Sequence, residues 1–294
     1  MLEPLFTTIP AVTFLGVEKK QSALKIYRQL RTIDCDAVAD FHAINRVRLA
    51  IFLLQLDAIC HFRPLKVRHI HKGRLSRWLF LHHLSRHPRR SQSQRYRDLL
   101  LRLGLSPCAG HPTRLEKNCA GRFDRPENYT VGIAPFAQHQ GKIWPIEYTT
   151  TLVKMLDDLG VKTFLFGSRS EAPALESIAK ECKNAASVAG HLSFAEELDT
   201  IRNLSLMVTM DSSNMHFASA VGTPVVSIWG ATHPDFGFYG YGQNRDNALC
   251  ANLKCQPCSA YGKKPCRYGD YRCMLRITPE TVLKKIQTIL TSEK

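Results

Sequence analysis

Short apolar runs alternate with amphipathic segments through the second half of the chain. VGIAPF (131–136), VKTFLFG (161–167), LMVTMD (206–211) and PVVSIWG (224–230) have the length and bounding residues of buried strands. Helical spacing fills the gaps between them. Pro145 opens one helix, which carries Tyr148, Leu152, Met155, Leu156 and Leu159 at helical spacing and stops at Gly160. A second helix covers 174–182, and a third covers 194–203, where Ser193 and Glu196 form a capping box. A short small-residue helix carrying His216 follows Asp211. Single helices between strands predict βαβ units and a parallel sheet. The first half is less regular. AVTFLGV (11–17) and DAVADFH (36–42) read as strands, and 22–31, 45–56 and 96–103 read as helices, the last ending at Gly104. Residues 106–128 are rich in Pro, Gly, Asn and charge, with weak periodicity, and read as a linker. The expected organisation is two α/β domains, 1–125 and 126–294, with a cleft between them.

Charge changes the picture. The 294 residues carry a formal net charge of +15, which points to an anionic partner: nucleic acid, anionic lipid, phosphorylated glycan or nucleotide. Between Arg63 and Arg102 there are twelve Lys or Arg against one acid, Asp98. A solvated face explains such a run as well as a polyanion surface does. No helix-turn-helix, zinc-finger or RNP pattern accompanies it, and Trp78, Phe80 and Tyr96 are few aromatics for base stacking. No 18-residue apolar span exists, and no basic segment followed by an apolar one opens the chain, so neither a membrane span nor an export signal is expected.

Four features follow the carboxyl ends of second-half strands, where ligands bind in parallel α/β sheets. The first is Lys142, just before the helix opened by Pro145. A lysine there supplies a point charge for a phosphate, or is an ordinary surface lysine. The second is Gly167-Ser168-Arg169-Ser170-Glu171. The glycine allows close approach to the backbone and Glu171 suits ribose hydroxyls, unless Glu171 only favours the first turn of its helix. The third is Asp211, Ser212, Ser213 and His216 around a helix start. Free amides there attract anions, whereas the plainer reading has Asp211 and Ser212 cap the helix and His216 sit in the core. The fourth is Gly230-Ala231-Thr232, a small-residue turn with a free hydroxyl.

Taken together, KxWP at 142–145, GSxxE at 167–171, DSSxxHxAxAxGxP at 211–224 and the following WGAT resemble glycosyltransferase family 9, the ADP-heptose:lipopolysaccharide heptosyltransferases. The match in order and separation runs over roughly 130–280, and is looser in the first half. The resemblance implies a GT-B fold: two Rossmann-like doubly wound domains facing a cleft, the N-terminal one incomplete. It implies an inverting, metal-independent transfer of a heptose or related sugar from a nucleotide-diphosphate donor to a lipopolysaccharide-core or similar phosphorylated glycolipid. Carried over by position, Lys142 would stabilise the phosphates and the leaving group. Ser168, Glu171, Asp211, Ser212, Ser213, His216 and Thr232 would complete the donor site, with Glu171 on the ribose. Arg46, Lys72 and Arg74 would meet the acceptor. No cofactor beyond the donor substrate is implied. The expected protein is a cytoplasmic monomer, peripheral on the inner face of the membrane and without a nucleic-acid partner.

Two departures from the family pattern stand out. Ser213 occupies a position that is usually glycine. The chain also opens at a point one strand and one helix further in, without the Leu-Gly-Asp loop whose aspartate is the proposed base. An inverting displacement needs a proton acceptor, and Asp40 is the first candidate for a substitute. The rival readings are a nucleotide-sugar-binding pseudoenzyme and a basic nucleic-acid-binding protein. Of the ten cysteines, Cys255, Cys258, Cys266 and Cys273 could supply thiolates to a structural zinc or remain free or partly paired, while Tyr261, Tyr268 and the basic residues between them could instead form a loop at the cleft mouth.

Overall fold

The computed structural model describes residues 15–18, 20–85, 87–106 and 129–292. The chain divides into two compact units. One comprises Met1–Arg74 and Arg90–Ala109; the other comprises Leu75–Arg89 and Gly110–Lys294. The boundary expected near residue 125 lies outside the described residues. Leu75–Arg89, expected within the first domain, groups with the second unit.

The second unit is built on a six-stranded, all-parallel sheet. Its strands are β3 (Thr130–Ala134), β4 (Lys162–Leu165), β5 (Ala185–Ser187), β6 (Leu206–Met210), β7 (Val225–Trp229) and β8 (Ala248–Cys250), in the order β5-β4-β3-β6-β7-β8. All five pairings are parallel. Chain order reverses direction beside β3, where β4 lies on one side and β6 on the other. Such a switch point leaves a crevice outside the strand carboxyl ends. Every residue of β6 and β7 is buried, which is why both read as continuous apolar runs without alternation.

The predicted helices between these strands form. They are α5 (Ile146–Asp158), α6 (Ala172–Lys180), α7 (Phe194–Arg202) and α8 (Ser213–Ala220). The capping box predicted for α7 is present: Ser193 Oγ accepts from the Glu196 amide, and the Glu196 carboxylate accepts from the Ser193 amide. Beyond the short α9 (Arg272–Leu275), helix α10 (Pro279–Ser292) completes the layer against α5, with Val282 and Ile286 fully buried. Pattern reading did not single out α10, although Val282, Ile286 and Ile289 follow helical spacing.

The first unit holds a two-stranded parallel sheet, β1 (Ala37–Asp40) with β2 (Lys66–His69). Among the described residues three helices accompany it: α1 (Ala23–Arg31), α2 (Asn45–Cys60) and α4 (Gln92–Leu101). Helix α4 starts four residues earlier than expected because Ser91 and Gln94 form a capping box that stabilises its first turn. The strand expected over 11–17 is corrected only at its end. Residues 11–14 lie outside the described residues, and 15–17 are exposed with no strand partner. Helix α3 (Arg74–Leu81) carries the chain into the second unit. There Phe80 packs edge-on to Phe236 at 5.6 Å, Arg77 lies 4.8 Å from the Phe238 ring, and the Arg89 amide donates to Asp235 O.

Gly132 sits in the middle of β3. A Cβ there would lie 2.6 Å from Met207 Sδ and 2.9 Å from Phe166 Cε2, and closer still to Leu204. Gly132→Ala should therefore destabilise the second unit by about 1–3 kcal/mol through overpacking. Denaturant titration should show a lower midpoint with an unchanged slope.

Candidate functional site

Three loops meet beyond the carboxyl ends of β3, β6 and β7. The first follows β3 and ends in a single 3₁₀ turn, Gln140–Lys142. It reaches β7 through glycine. A Cβ on Gly141 would lie 2.8 Å from the Ala231 Cβ, and one on Gly230 would lie 2.5 Å from Gly141 O. The Ala231 amide donates to that same oxygen at 2.7 Å. Side chains at either glycine would push the loops apart. Trp144 and Pro145, the rest of the KxWP motif, serve structure. Trp144 is fully buried and its indole donates to Ile277 O, while Pro145 precedes α5.

This approach delivers Lys142 to Asp211. The ammonium lies 2.7 Å from Asp211 Oδ2 and also donates to Asp211 O at 3.2 Å. Thr232 Oγ1 donates to the same Oδ2 at 2.8 Å. The two charged side chains are only 15% and 8% exposed, so this is a pair in a largely dry setting. The lysine stem lies along Gly262, where a Cβ would come within 2.7 Å of Lys142 Cγ. Gly262 belongs to a segment sewn onto the end of β7. Gln256 Nε2 donates to Gly230 O, and the amides of Cys258 and Ser259 donate to Ala231 O.

The capping explanation for Asp211 and Ser212 does not hold. Asp211 turns to Lys142 and Thr232. Ser212 is the residue before α8, but its hydroxyl lies 3.1 Å from Thr209 Oγ1 and makes no cap bond. The amides of Ser213, Asn214 and Met215 therefore have no acceptor among the described residues. A helix start of this kind presents donors and positive dipole to an anion. Ser213 is exposed at the first helical position. His216, one turn in, is not a core histidine: its ring stays accessible to water although protein surrounds it on most sides, as in a recess. That surrounding protein pushes its pKa below the ordinary value, with Asp211 pulling up and Lys142 pushing down, so the neutral ring is favoured.

Ser168 and Glu171 come together with each other. Glu171 Oε2 accepts from the Ser168 amide at 2.6 Å and holds the turn that starts α6. Ser168 Oγ lies 2.9 Å from Ser170 Oγ. Glu171 is half-buried, and its second oxygen has no partner among the described residues.

The remaining candidates lie in the first unit. Arg46 is in the first turn of α2, Lys72 and Arg74 follow β2, and the Lys72 carbonyl accepts from Arg95. Asp40 is buried, and both its oxygens are engaged. Oδ1 accepts from the amides of His42 and Ala43, and Oδ2 lies 2.9 Å from His69 Nδ1. Burial works to raise its pKa, but the bonds from Ala43, His69 and His42 outweigh burial and bring it below the usual carboxylate range. A carboxylate so held is a poor proton acceptor, which removes the physical ground for Asp40 as the substitute base. His69, which the sequence reading did not single out, is its partner.

The tail thiols are free. Among the described residues no group of three or more His, Cys, Asp or Glu is placed to hold a metal ion, so the zinc reading of Cys255, Cys258, Cys266 and Cys273 finds no ligand set. Burial pushes the Cys273 thiol up to about 11. Burial also favours the neutral Cys266 thiol, but bonds from the amides of Tyr268, Tyr271 and Gly269 win and lower its pKa.

Removing either partner of the Lys142–Asp211 pair strands a largely buried charge. Lys142→Met and Asp211→Asn should each cost about 1–3 kcal/mol of stability. The double variant should lose clearly less than the sum. Chemical denaturation of the four proteins measures this coupling.

The profile of glycosyltransferase family 9 (heptosyltransferase) matches residues 78–271. Lipooligosaccharide heptosyltransferase 2 of Haemophilus influenzae is 30% identical over 186 residues, which is 60% of this chain and 51% of that protein. Lipopolysaccharide heptosyltransferase 2 of Escherichia coli is 28% identical over 177 residues, 57% of this chain and 49% of that protein. The chain thus spans about half the length of the curated relatives it matches. Among solved structures, a glycosyl transferase family 9 protein from Veillonella parvula superposes with a TM-score of 0.69 at 17% identity, covering 98% of this chain and 86% of that one. The E. coli heptosyltransferase WaaC with ADP superposes with a TM-score of 0.58 at 16% identity, covering 91% and 77%. These likenesses place the fold in the α/β GT-B class. With two thirds of its length inside the family profile and its motifs in the family's order, the chain belongs to glycosyltransferase family 9, the heptosyltransferases.

Proposed function

We propose that this protein is an inverting glycosyltransferase. It moves a heptose or a related sugar from a nucleoside-diphosphate donor to a lipopolysaccharide-core or similar phosphorylated glycolipid. The observation that carries this reading is the uncapped start of α8 beside Lys142. Amides and ammonium together suit a diphosphate, whose negative charge grows as it departs.

The ion pair refines the roles. Asp211 is a carboxylate, so on its own it repels a phosphate. Its part is to hold Lys142 and Thr232 in place, with Lys142 standing between it and the ligand. Ser212 and Ser213 line the helix start, and His216 stands one turn behind. Glu171 already spends one oxygen on Ser168, which leaves the other for a ribose hydroxyl. On the first unit, Arg46, Lys72 and Arg74 are the proposed contacts for acceptor phosphates. The two proposed domains are an acceptor-side domain and a donor-binding domain, the latter carrying the cysteine-rich segment. With cationic and amide groups on the diphosphate, transfer proceeds without a divalent metal. Among the described residues no helix is long and apolar enough to cross a membrane, and the proposed site of action is the cytoplasmic face, reached peripherally by a monomer.

Calorimetry with ADP tests the donor site. Lys142→Met should weaken ADP by about 1–3 kcal/mol, the cost of a lost charge-assisted bond. Unchanged ADP affinity in that variant contradicts the assignment. Turnover with ADP-heptose and a heptose-deficient lipopolysaccharide separates an enzyme from a binding protein, and should survive addition of a chelator.

His216 adds a pH signature. Its free-state pKa is lowered, and a bound diphosphate favours the imidazolium, so binding should take up a proton. ADP affinity should then rise as pH falls through the bound-state pKa and level off below the free-state one. Calorimetry in two buffers of different ionisation enthalpy should show a proton uptake that is smaller in His216→Gln, which isolates the ring from titration of ADP itself.

A further inference from the structure

A second cleft opens at the amino end of the six-stranded sheet, at the opposite end of the strands from Lys142. It lies where α8 gives way to β7, at Gly222 and Pro224, and is bounded by α10 and the turn 242–247. The length of β7, roughly 16 Å of strand, separates it from Gly230. Its volume is about 450 Å³, within the roughly 300–1,000 Å³ of small-molecule sites. All of its lining belongs to the second unit.

The walls of the cleft are fixed. Gln243 clamps the turn onto the strand: its Oε1 accepts from the Val225 amide and its Nε2 donates to Thr223 O, both at 2.9 Å. The Tyr239 hydroxyl donates to Asn244 O at 2.7 Å, and Asn244 Oδ1 accepts from the Asp246 amide at 3.0 Å. Other polar side chains of the cleft are left unspent. Asn247 is only 9% exposed, yet its side-chain amide has no hydrogen-bond partner among the described residues. Lys285, half-buried on α10, and Asp246, on the turn, line the same cleft. Neither forms an ion pair with the other or with any other described residue. Thr288 gives its hydroxyl proton to Lys284 O and keeps its oxygen lone pairs.

These groups define the chemistry of an occupant. A buried amide without a partner carries a cost that a ligand removes. Opposite charges that line one cleft and stay apart suit a molecule that meets both, with an anionic group for Lys285 and hydroxyl donors for Asp246. The Asn247 amide both donates and accepts, which matches hydroxyl groups. Pro224 and Ile289 are the apolar part of the lining, too small a surface for an apolar body. We propose that this cleft binds a hydroxyl-rich anion, a sugar phosphate or a sugar acid, with its anionic group on Lys285 and its hydroxyls on Asp246 and Asn247. The site is separate from the one proposed for the donor and does not rest on the transfer reading.

Calorimetry on the full chain tests the proposal, with glucose 6-phosphate and glucuronate as probes. A phosphate-bearing core oligosaccharide freed of its lipid serves as a second arm. Glucose 6-phosphate should bind, and Lys285→Met should weaken it roughly ten- to hundredfold. Asn247→Leu should weaken it similarly while its melting temperature holds or rises, because the change removes an unpaired buried amide. An amide with a structural role alone would not give that split. Lys142→Met should leave the affinity unchanged, which separates this cleft from the donor loops. Glucose and inorganic phosphate should each bind far more weakly than the molecule that combines them. Binding confined to the oligosaccharide, with the same dependence on Lys285 and Asn247, places the sugar anion on a glycan chain. Absence of binding in both arms overturns the proposal. So does binding that ignores Lys285→Met, which decides alone if Asn247→Leu fails to fold, or inorganic phosphate binding as tightly as glucose 6-phosphate.

Discussion

The Lys142–Asp211 ion pair is the constraint on which the site depends. It joins a loop after β3 to the end of β6, and through Thr232 it reaches the turn after β7. Neither charge is well solvated, so each is stable only while the other is in place. The pair needs the Gly141–Gly230 approach, because any side chain there would separate the loops. It also settles what Asp211 does. With its carboxylate turned to Lys142, it cannot cap α8, and the helix start is left open. An unsatisfied helix start has a cost unless a ligand or water meets it. The same interaction therefore builds the loop cluster and leaves room for an anion.

The second unit was legible because its central strands are buried on both faces. β6 and β7 have no exposed position to interrupt their apolar runs, and the capping box at Ser193 marks a helix start in local sequence alone. The first unit was less so. β2, Lys66–His69, has only one buried residue, Val67, and leaves no apolar run to find. Helix α3 is short and basic at one end, and what fixes it is packing of Phe80 on Phe236, far away in sequence.

Site residues follow the same division. Lys142, Asp211 and Thr232 sit in motifs whose spacing could be read directly, but their pairing could not, because it depends on two glycines 89 positions apart, Gly141 and Gly230. Glu171 shows the limit of residue type as a guide: the carboxylate suited to a ribose also holds its own turn. Asp40 shows it more sharply. A carboxylate at a strand end is a reasonable candidate base until its environment is seen. His69 carried no local signal, since its meaning comes from the register that places it beside Asp40.

The central claim is that the open start of α8, with Lys142 beside it, receives the diphosphate of the donor. Titration of the nitrogen-15-labelled protein with ADP tests it most directly. The account predicts that the amide resonances of Ser213, Asn214 and Met215 shift downfield together and saturate with a single affinity. If ADP binds while those three amides stay unmoved and the shifts fall elsewhere, the account is wrong.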